Sequence, residues 1–345
     1  MRLKRIFLLS LILVVFFLYF FNLEYVYSKE PKAVLKFATL APDGVGWAIY
    51  AKEYLIEAIE KATNYNVKLD PYFGGVMGDD EDYISKMRIN QLQGAGLSAS
   101  GIVMACPEIA VLELPFLFEN FDEVDYIRKK MRDRLSHLYE KNGYKLWMLL
   151  DQDFDKIFST KNEIRSLKDF NKSRFVTWVG HVEYETLKSL NTSPIPLNVP
   201  EIPSSIRSKI VNAMMAPPIW YVGTQLYTVT KYITDCKMRY SPGGVVVTMN
   251  AWNSITEKNK KQIMEVVQRC ESVLNDYGHD SNEKCLCAMV KYGLKEVKLT
   301  PGEIEILKKN TRPVWDNLVG KVYSRDLLNK IVRYLEEYRS AVKAR

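Results

Sequence analysis

The sequence predicts an α/β protein built as two lobes, and three observations lead to this prediction. Short apolar runs alternate with helical patterns from residue 33 to residue 92, as in parallel strands joined by helices. Two long apolar runs, 144–153 and 240–252, flank a middle region, so we expect the chain to cross into a second lobe and return. The chain has 345 residues, enough for each lobe to bury its own core. Two extended crossings would form a hinge, which suits closure around a ligand.

The first lobe begins with strands and helices in alternation. The run AVLKFATLAP, 33–42, ends in a Pro-Asp-Gly turn and predicts a buried strand. After a helix and a second strand, the segment 79–92 has a helical pattern. This helix should present Tyr83, Ile84 and Met87 on one face.

Two serines and two phenylalanines follow the next predicted strand. In GAGLSASGIVMA, 94–105, Ser98 and Ser100 would lie at the carboxyl end of the strand, where open α/β sheets bind ligands. A tightly packed turn between strand and helix explains these small residues equally well. Phe116 and Phe118 either line a cleft or fill the core, and we favour the core.

The carboxy-terminal part is helical. Ser254 and Glu257 fit a capping box, and an apolar stripe at helical spacing then continues to Tyr277. Thr300 opens a further helix by the same capping logic, and a last helix ends the chain. These patterns give the following division: an export signal at 1–28, a first lobe of 29–151 with about 245–280, and a second lobe of 152–244 with about 281–345.

The amino terminus resembles an export signal. Arg2, Lys4 and Arg5 precede an apolar run, 6–21, and small or modest residues around Ser28 offer a cleavage site. The run is long for a signal peptide and short for a bilayer span, so an uncleaved anchor stays open as an alternative.

Composition and motifs exclude several classes of protein. The net charge of +7 is modest, and the basic segment YIRKKMRDRL is typical of a solvated helix face, so we expect no nucleic-acid partner. Five scattered cysteines and three isolated histidines lack metal-ligand spacing, so we expect no metal and no other cofactor. No nucleophile elbow, zinc-protease motif or phosphate-binding loop is present, which argues against an enzyme.

With these elements in order, the chain resembles the substrate-binding proteins of TRAP (tripartite ATP-independent periplasmic) transporters, the DctP family. The resemblance rests on LKFATLAPDGVGW, YFGGVMGDDEDYISKMRINQLQGAGLSASG, LELPFLFENFDEVDYI, LKSLNTSPIPLNVPEI and VNAMMAPP, and it spans nearly everything after residue 33. It implies a two-lobed fold like that of periplasmic binding proteins, with a hinge and a long helix across both lobes. It also implies delivery of a small ligand to membrane permease subunits.

The resemblance also implies a departure at the site. Family members that carry organic acids hold the carboxylate with an arginine before the LKSL-like helix, because a guanidinium makes two parallel hydrogen bonds to a carboxylate. That position falls at Phe175 here, with Arg174 one residue earlier and facing the opposite side of the strand. A second arginine position falls at about Asp155, and an asparagine position falls at Ala216, next to Pro217.

These replacements favour a hydrophobic or aromatic ligand over the usual acid. The candidate walls of an apolar cleft are aromatic: Trp47, Phe175, Trp178, Trp220 and Tyr240. At least two of the five are expected to be core residues instead. An organic acid held by Arg174 is the alternative ligand. A tetratricopeptide-type periplasmic partner, a homodimer and an anchored scaffold protein are further possibilities.

Overall fold

The computed structural model describes residues 31–44, 46–178 and 180–344. The export signal predicted at 1–28 lies outside these residues. Within the described ranges, no helix combines the length and the apolar character needed to cross a membrane.

The strands alternate with helices along most of the chain, as predicted. They are β1 Ala33–Thr39, β2 Val67–Tyr72, β3 Gly94–Leu97, β4 Tyr144–Phe154, β5 Lys156–Ser159, β6 Val176–Thr177, β7 Ile195–Pro196, β8 Ala213–Ala216, β9 Tyr232–Asp235, β10 Tyr240–Thr248 and β11 Lys295–Lys298.

The α-helices range from one turn to ten. They are α1 Trp47–Tyr50, α2 Glu57–Ala62, α3 Asp80–Arg88, α4 Ala99–Ala105, α5 Phe121–Lys141, α6 Leu167–Asn171, α7 His181–Ser189, α8 Ile202–Arg207, α9 Pro218–Gly223, α10 Met249–Ser254, α11 Glu257–Tyr292, α12 Pro301–Thr311, α13 Pro313–Asn317 and α14 Arg325–Lys343. A π-helical segment, Ala51–Ile56, joins α1 to α2, and short 3₁₀ helices cover Pro107–Glu113, Val199–Glu201 and Leu226–Thr228.

Two main sheets form the two lobes. The first has the order β2-β1-β3-β10-β4, with β1 parallel to β2 and β3, and β10 antiparallel to β3 and β4. The second has the order β11-β9-β5-β8. A parallel pair, β6 and β7, lies beside β8 through a bridge between Phe175 and Ala213.

The chain crosses between the sheets twice in extended conformation, as predicted. Strand β4 ends at Phe154 and β5 begins at Lys156, so Asp155 alone separates them. On the return, β9 ends at Asp235 and β10 begins at Tyr240. The crossings lie side by side, because the amide of Asp155 donates to the carbonyl of Arg239 at 2.9 Å.

The long helix α11 spans both lobes, as the resemblance implies. Its first half packs Ile263, Val266 and Val267 into a core with strands of the first sheet. Near its end, Met289 belongs to a core of the second sheet. Its amino-terminal cap is Thr256, which accepts a hydrogen bond from the amide of Asn259, so the prediction of a cap at Ser254 is wrong.

The last helix corrects the predicted division of the lobes. Leu327, Leu328, Ile331 and Leu335 of α14 are buried in the core of the first lobe, and α14 lies against α5. The assignment of the whole of 281–345 to the second lobe is therefore wrong. An apolar stripe shows that a helix is buried on one face but does not say against what.

Local patterns predicted other details well. Tyr83, Ile84 and Met87 are the apolar side chains that α3 buries. Thr300 caps α12 by accepting a hydrogen bond from the amide of Glu303. These features depend on residues within a turn or two of each other, which explains their success.

Candidate ligand-binding site at the junction of the lobes

The strand ends of both sheets meet at the two crossings. In the first sheet, Leu97 ends β3, and Phe154 at the end of β4 pairs with Tyr240 at the start of β10. In the second sheet, Lys156 at the start of β5 pairs with Ala216 at the end of β8. Because ligands of open α/β sheets bind at such edges, this junction is the candidate site.

The serine predicted at the end of β3 is already engaged by a carboxylate. The hydroxyl of Ser98 donates to the buried Asp80, whose pKa burial raises to about 6. The amide of Ser98 also donates to Asp80 at 3.3 Å. This pair ties α3 to the start of α4, so the packing explanation accounts for Ser98. Ser100 is half-buried in the first turn of α4.

Two predicted tryptophans form a pair on the second lobe. The rings of Trp178 and Trp220 are 4.7 Å apart and nearly perpendicular, and both side chains are half-buried. The indole nitrogen of Trp178 donates to the carbonyl of Met215 at 3.1 Å, which fixes the ring at the end of β8. Ala216, at the end of β8, and the following Pro217 are both buried.

Trp47 lies across the junction on the first lobe. Its indole packs edge-on against Tyr277 of α11 with ring centroids 6.1 Å apart. A Cβ atom at Gly278 would come within 2.7 Å of the indole, so this helix position accepts only glycine without displacement. A Cβ added at the preceding Gly46 would lie 3.9 Å from the side chain of Ile219 of α9, so the two lobes approach each other here.

Tyr240 is a buried junction residue with a hydrogen-bonded hydroxyl. Its ring packs against Phe118 and Phe154 at 5.5 Å and 5.8 Å, and its hydroxyl donates to Asp151. Phe118 is buried in the core of the first lobe, as favoured from the sequence.

Phe116 bridges the lobes. Its side chain packs against a core of the second lobe, and its amide donates to the carbonyl of Met238 at 2.7 Å. Its φ of 55° is unusual for a bulky side chain, and this contact with the second crossing holds it.

The structure corrects the interpretation of Arg174 and Phe175. Phe175 is fully buried in a core of the second lobe, stacked on Phe170 at 5.5 Å, and does not form a wall of an open cleft. Arg174 is exposed, and its guanidinium donates to the carbonyl of Lys209 at 2.6 Å. Arg174 and Phe175 do point to opposite sides of the strand, as expected. The side on which Phe175 lies, however, is a core of the second lobe and not a cleft.

A buried ionic cluster occupies the crossings. Arg239 of the second crossing donates to Glu113 at 2.7 Å and to Asp155 of the first crossing, and Glu183 of α7 lies 3.6 Å away. The pKa values of Glu113 and Asp155 are both raised, by burial above all and against the opposing effect of Arg239.

A second network links the crossings to α5 and α11. Asp151 accepts two hydrogen bonds from Arg128, at 2.6 and 2.8 Å, and lies 2.9 Å from the ring nitrogen of His279. Burial alone would raise the pKa of Asp151, but the bonds from His279, Arg128 and Tyr240 lower it below its usual value.

Sequence reasoning missed most of these charged residues. The sequence identifies Asp155 only as the occupant of an arginine position, and it does not single out Glu113, Glu183 or Arg239 as site residues. Glu113 interrupts an apolar run, which is the signal that could have marked a buried ion pair, whereas Arg239 lies among polar residues and gives no such signal. The described residues contain no group of His, Cys, Asp and Glu side chains arranged to hold a metal ion.

Comparison with known proteins agrees with this architecture. The sugar acid binding protein of Advenella mimigardefordensis in complex with galactonate superposes with a TM-score of 0.82 at 18% identity, covering 89% of this chain and 99% of the other. A TRAP periplasmic solute binding protein of Haemophilus influenzae with bound L-gulonate gives a TM-score of 0.81 at 18% identity, covering 88% and 99%.

Sequence comparison points the same way. The ectoine/5-hydroxyectoine-binding periplasmic protein of Ruegeria pomeroyi is 24% identical over 191 residues, which is 54% of this chain and 55% of that protein. The model of bacterial extracellular solute-binding protein family 7, DctP, matches residues 37–321, more than half of the chain. The chain therefore belongs to this family, that of the TRAP transporter substrate-binding proteins.

Proposed function

We propose that this protein captures a small hydrophobic or aromatic molecule between its lobes and delivers it to the membrane permease subunits of a TRAP transporter. Proteins of this family are solute-binding proteins and not enzymes, and they are periplasmic. We propose that residues 1–28 direct the export of this one. The ligand class is the finer part of the proposal. It depends on whether a positively charged side chain at the junction is available to bind a ligand carboxylate.

The observation that carries the ligand class is the pairing of the buried arginines. Arg239 is matched by Glu113 and Asp155, and Arg128 is matched by Asp151. A guanidinium with its donors already directed at carboxylates cannot offer the two parallel bonds that a ligand carboxylate needs. Arg174, the alternative clamp, is exposed and donates to a backbone carbonyl.

The half-buried tryptophans supply the apolar surface of the proposed site. Trp178 and Trp220 form one wall, and Trp47 lies on the opposite lobe, next to Gly46, where the segment of Ile219 approaches. Flat aromatic side chains bury a large area at low cost in conformational entropy, which suits a hydrophobic or aromatic ligand.

An organic acid is the second candidate class. The solved relatives hold galactonate and L-gulonate, and Lys156 places an ammonium group at the end of the second sheet. Its Nζ atom lies 3.3 Å from Asp235, which is half-exposed, so a ligand carboxylate would have to displace that partner. We therefore rank this class second.

The test is to identify what the protein retains. Protein purified from the periplasm of an expressing cell is denatured, and the released small molecules are identified by mass spectrometry. We expect an apolar or aromatic compound without a carboxylate. A retained organic acid would overturn the proposed ligand class and favour the second.

The proposed partners need separate measurements. Light scattering during size-exclusion chromatography distinguishes a monomer from a homodimer. Co-purification with a tagged tetratricopeptide-type protein tests that partner. Neither outcome bears on the ligand class, because pairing through outer helices is compatible with binding between the lobes.

A further inference from the structure

The cluster around Arg239 contains more negative than positive charge. Three carboxylates, Glu113, Asp155 and Glu183, surround one guanidinium. Lys156, which is paired with Asp235, also acts on Asp155. The side chains of the three carboxylates are 5%, 1% and 2% exposed, and Arg239 is 3% exposed. At such burial, water cannot solvate an excess of negative charge, so either a proton or a cationic partner must neutralise it.

Within the described residues, Glu183 is the member of this cluster whose carboxylate oxygens both lack a hydrogen bond, and its only charge contact is a long one to Arg239. Its Oε2 atom lies 3.6 Å from Arg239, beyond hydrogen-bonding distance, because Glu113 and Asp155 take the donors of that guanidinium. Neither carboxylate oxygen of Glu183 accepts a hydrogen bond from any described residue. The neighbouring hydroxyl of Thr177 donates to the carbonyl of Trp178 at 3.1 Å, and it lies near enough to Glu183 to lower its pKa.

The cluster lies at the junction of the two lobes. Glu113 ends a 3₁₀ helix of the first lobe, Asp155 and Arg239 are the two crossings, and Glu183 lies in the first turn of α7 in the second lobe. Thr177, which borders Glu183, directly precedes Trp178 of the tryptophan pair. The unpartnered carboxylate is thus close in the chain to the apolar wall.

We propose that Glu183 receives a positively charged nitrogen of the ligand, an ammonium or amidinium group carried on an apolar or aromatic body. This inference rests on the proposed function and refines its ligand class. A cationic nitrogen donates strong hydrogen bonds to carboxylate oxygens and offsets the buried negative charge.

A proton competes with such a ligand. Burial above all, together with the charges of Asp155 and Glu113, raises the pKa of Glu183 to about 8 against the opposing effect of Arg239. The cation binds the ionised carboxylate, so below about pH 8 its binding must displace the proton. Affinity for a cationic ligand therefore rises with pH by up to about tenfold per unit and levels off above this pKa.

The experiment uses three probes of matched shape with the exported full protein: 2-phenylethylamine, the neutral 2-phenylethanol and the anionic phenylacetate. Calorimetric titrations are made at about pH 6.5 and about pH 8.5, on either side of the raised pKa. At the higher pH, we expect the amine to bind about tenfold or more tightly than the alcohol. At the lower pH, most of this preference should be lost.

The Glu183→Gln variant tests the residue itself. An amide has nearly the shape of the protonated carboxyl group, so the variant should fold with an unchanged or higher melting temperature. Its affinity for the amine should fall about tenfold at the higher pH, with the pH dependence abolished and the alcohol unaffected. Glu185→Gln, a half-buried position on the same helix, is the matched control and should behave as wild type.

Each other outcome overturns a defined claim. Equal binding of amine and alcohol, or an amine preference that survives Glu183→Gln, rejects the role of Glu183 but leaves the apolar ligand class intact. Tightest binding of phenylacetate rejects the proposed ligand class as well. Failure of the amine to bind at millimolar concentration at the higher pH also rejects the inference.

Discussion

Glu183 contributes to stability in a pH-dependent way because its pKa differs between the folded and unfolded chain. The folded value is about 8 against an ordinary 4.5. A raised pKa means that the folded protein holds the proton more tightly. This stabilisation is therefore full below about pH 4.5 and is lost as pH rises through 8.

We predict that the free energy of unfolding of the wild type falls relative to Glu183→Gln as pH rises through this range. The slope should approach about 1.4 kcal/mol per pH unit, since each unit of pKa difference has that value. Urea unfolding at a series of pH values measures it, and Glu185→Gln should follow the wild type. Parallel curves for wild type and Glu183→Gln would contradict the raised pKa.

Two substitutions test which of the predicted ligand residues contact the ligand and which lie on the surface. Arg174→Ala should leave affinity for the retained ligand unchanged, because Arg174 is exposed and bonds Lys209. Trp178→Ala should weaken binding by about tenfold or more, since it removes an aromatic wall. Titration of ligand-free protein with the retained compound checks both. A loss of affinity in Arg174→Ala would show that Arg174 holds the ligand.

At the scale of elements, α11 and the segment of Trp47 fit together through one glycine. A Cβ at Gly278 would lie 2.7 Å from the indole of Trp47 and 3.1 Å from the backbone oxygen of Asp151. The backbone oxygen cannot rotate away as a side chain can. The contact therefore fixes the distance between α11, β4 and Trp47.

We predict that Gly278→Ala destabilises the protein by about 1–3 kcal/mol, although alanine favours a helix by about 1 kcal/mol. The control is Gly223→Ala near the end of α9, where an added Cβ meets no atom within 4 Å. Thermal unfolding should show a lower midpoint for Gly278→Ala alone. Equal midpoints would show that α11 shifts at little cost.

The last helix should be essential to the first lobe. Deletion of 325–345 exposes the core positions that α14 covers and removes the ion pair of Arg339 with Glu123. Loss of one large buried side chain typically costs 2–5 kcal/mol, so removing several exceeds the stability of most domains. We predict that the truncated chain fails to accumulate in soluble form. A truncated protein with a native circular dichroism spectrum would contradict this packing.

At the scale of the whole molecule, the lobes are joined by two adjacent crossings and by α11. The segments of Gly46 and Ile219 approach each other at the edge of the junction, since a Cβ added at Gly46 would lie 3.9 Å from Ile219. If the ligand binds between the lobes, it holds these two segments together. We predict slower amide hydrogen exchange in 46–50 and 218–223 on addition of ligand, with α14 unchanged as the internal reference. Unchanged exchange in both segments would place the ligand elsewhere.

The sequence alone determined what depends on near neighbours. Strand and helix alternation, the buried face of α3 and the cap at Thr300 follow from side chains a few residues apart. The family was also accessible, because several motifs occur in order along the chain. The two crossings were predicted because extended apolar runs differ visibly from the helices around them.

Only the tertiary structure decided which surfaces those elements share. It placed α14 on the first lobe, Phe175 in a core, and Arg239 among carboxylates 84 and 126 positions distant in sequence. Apolar patterning says that a side chain is buried but not beside what. A buried charge is interpretable only with its partners, and folding brings these together from segments that local sequence does not connect.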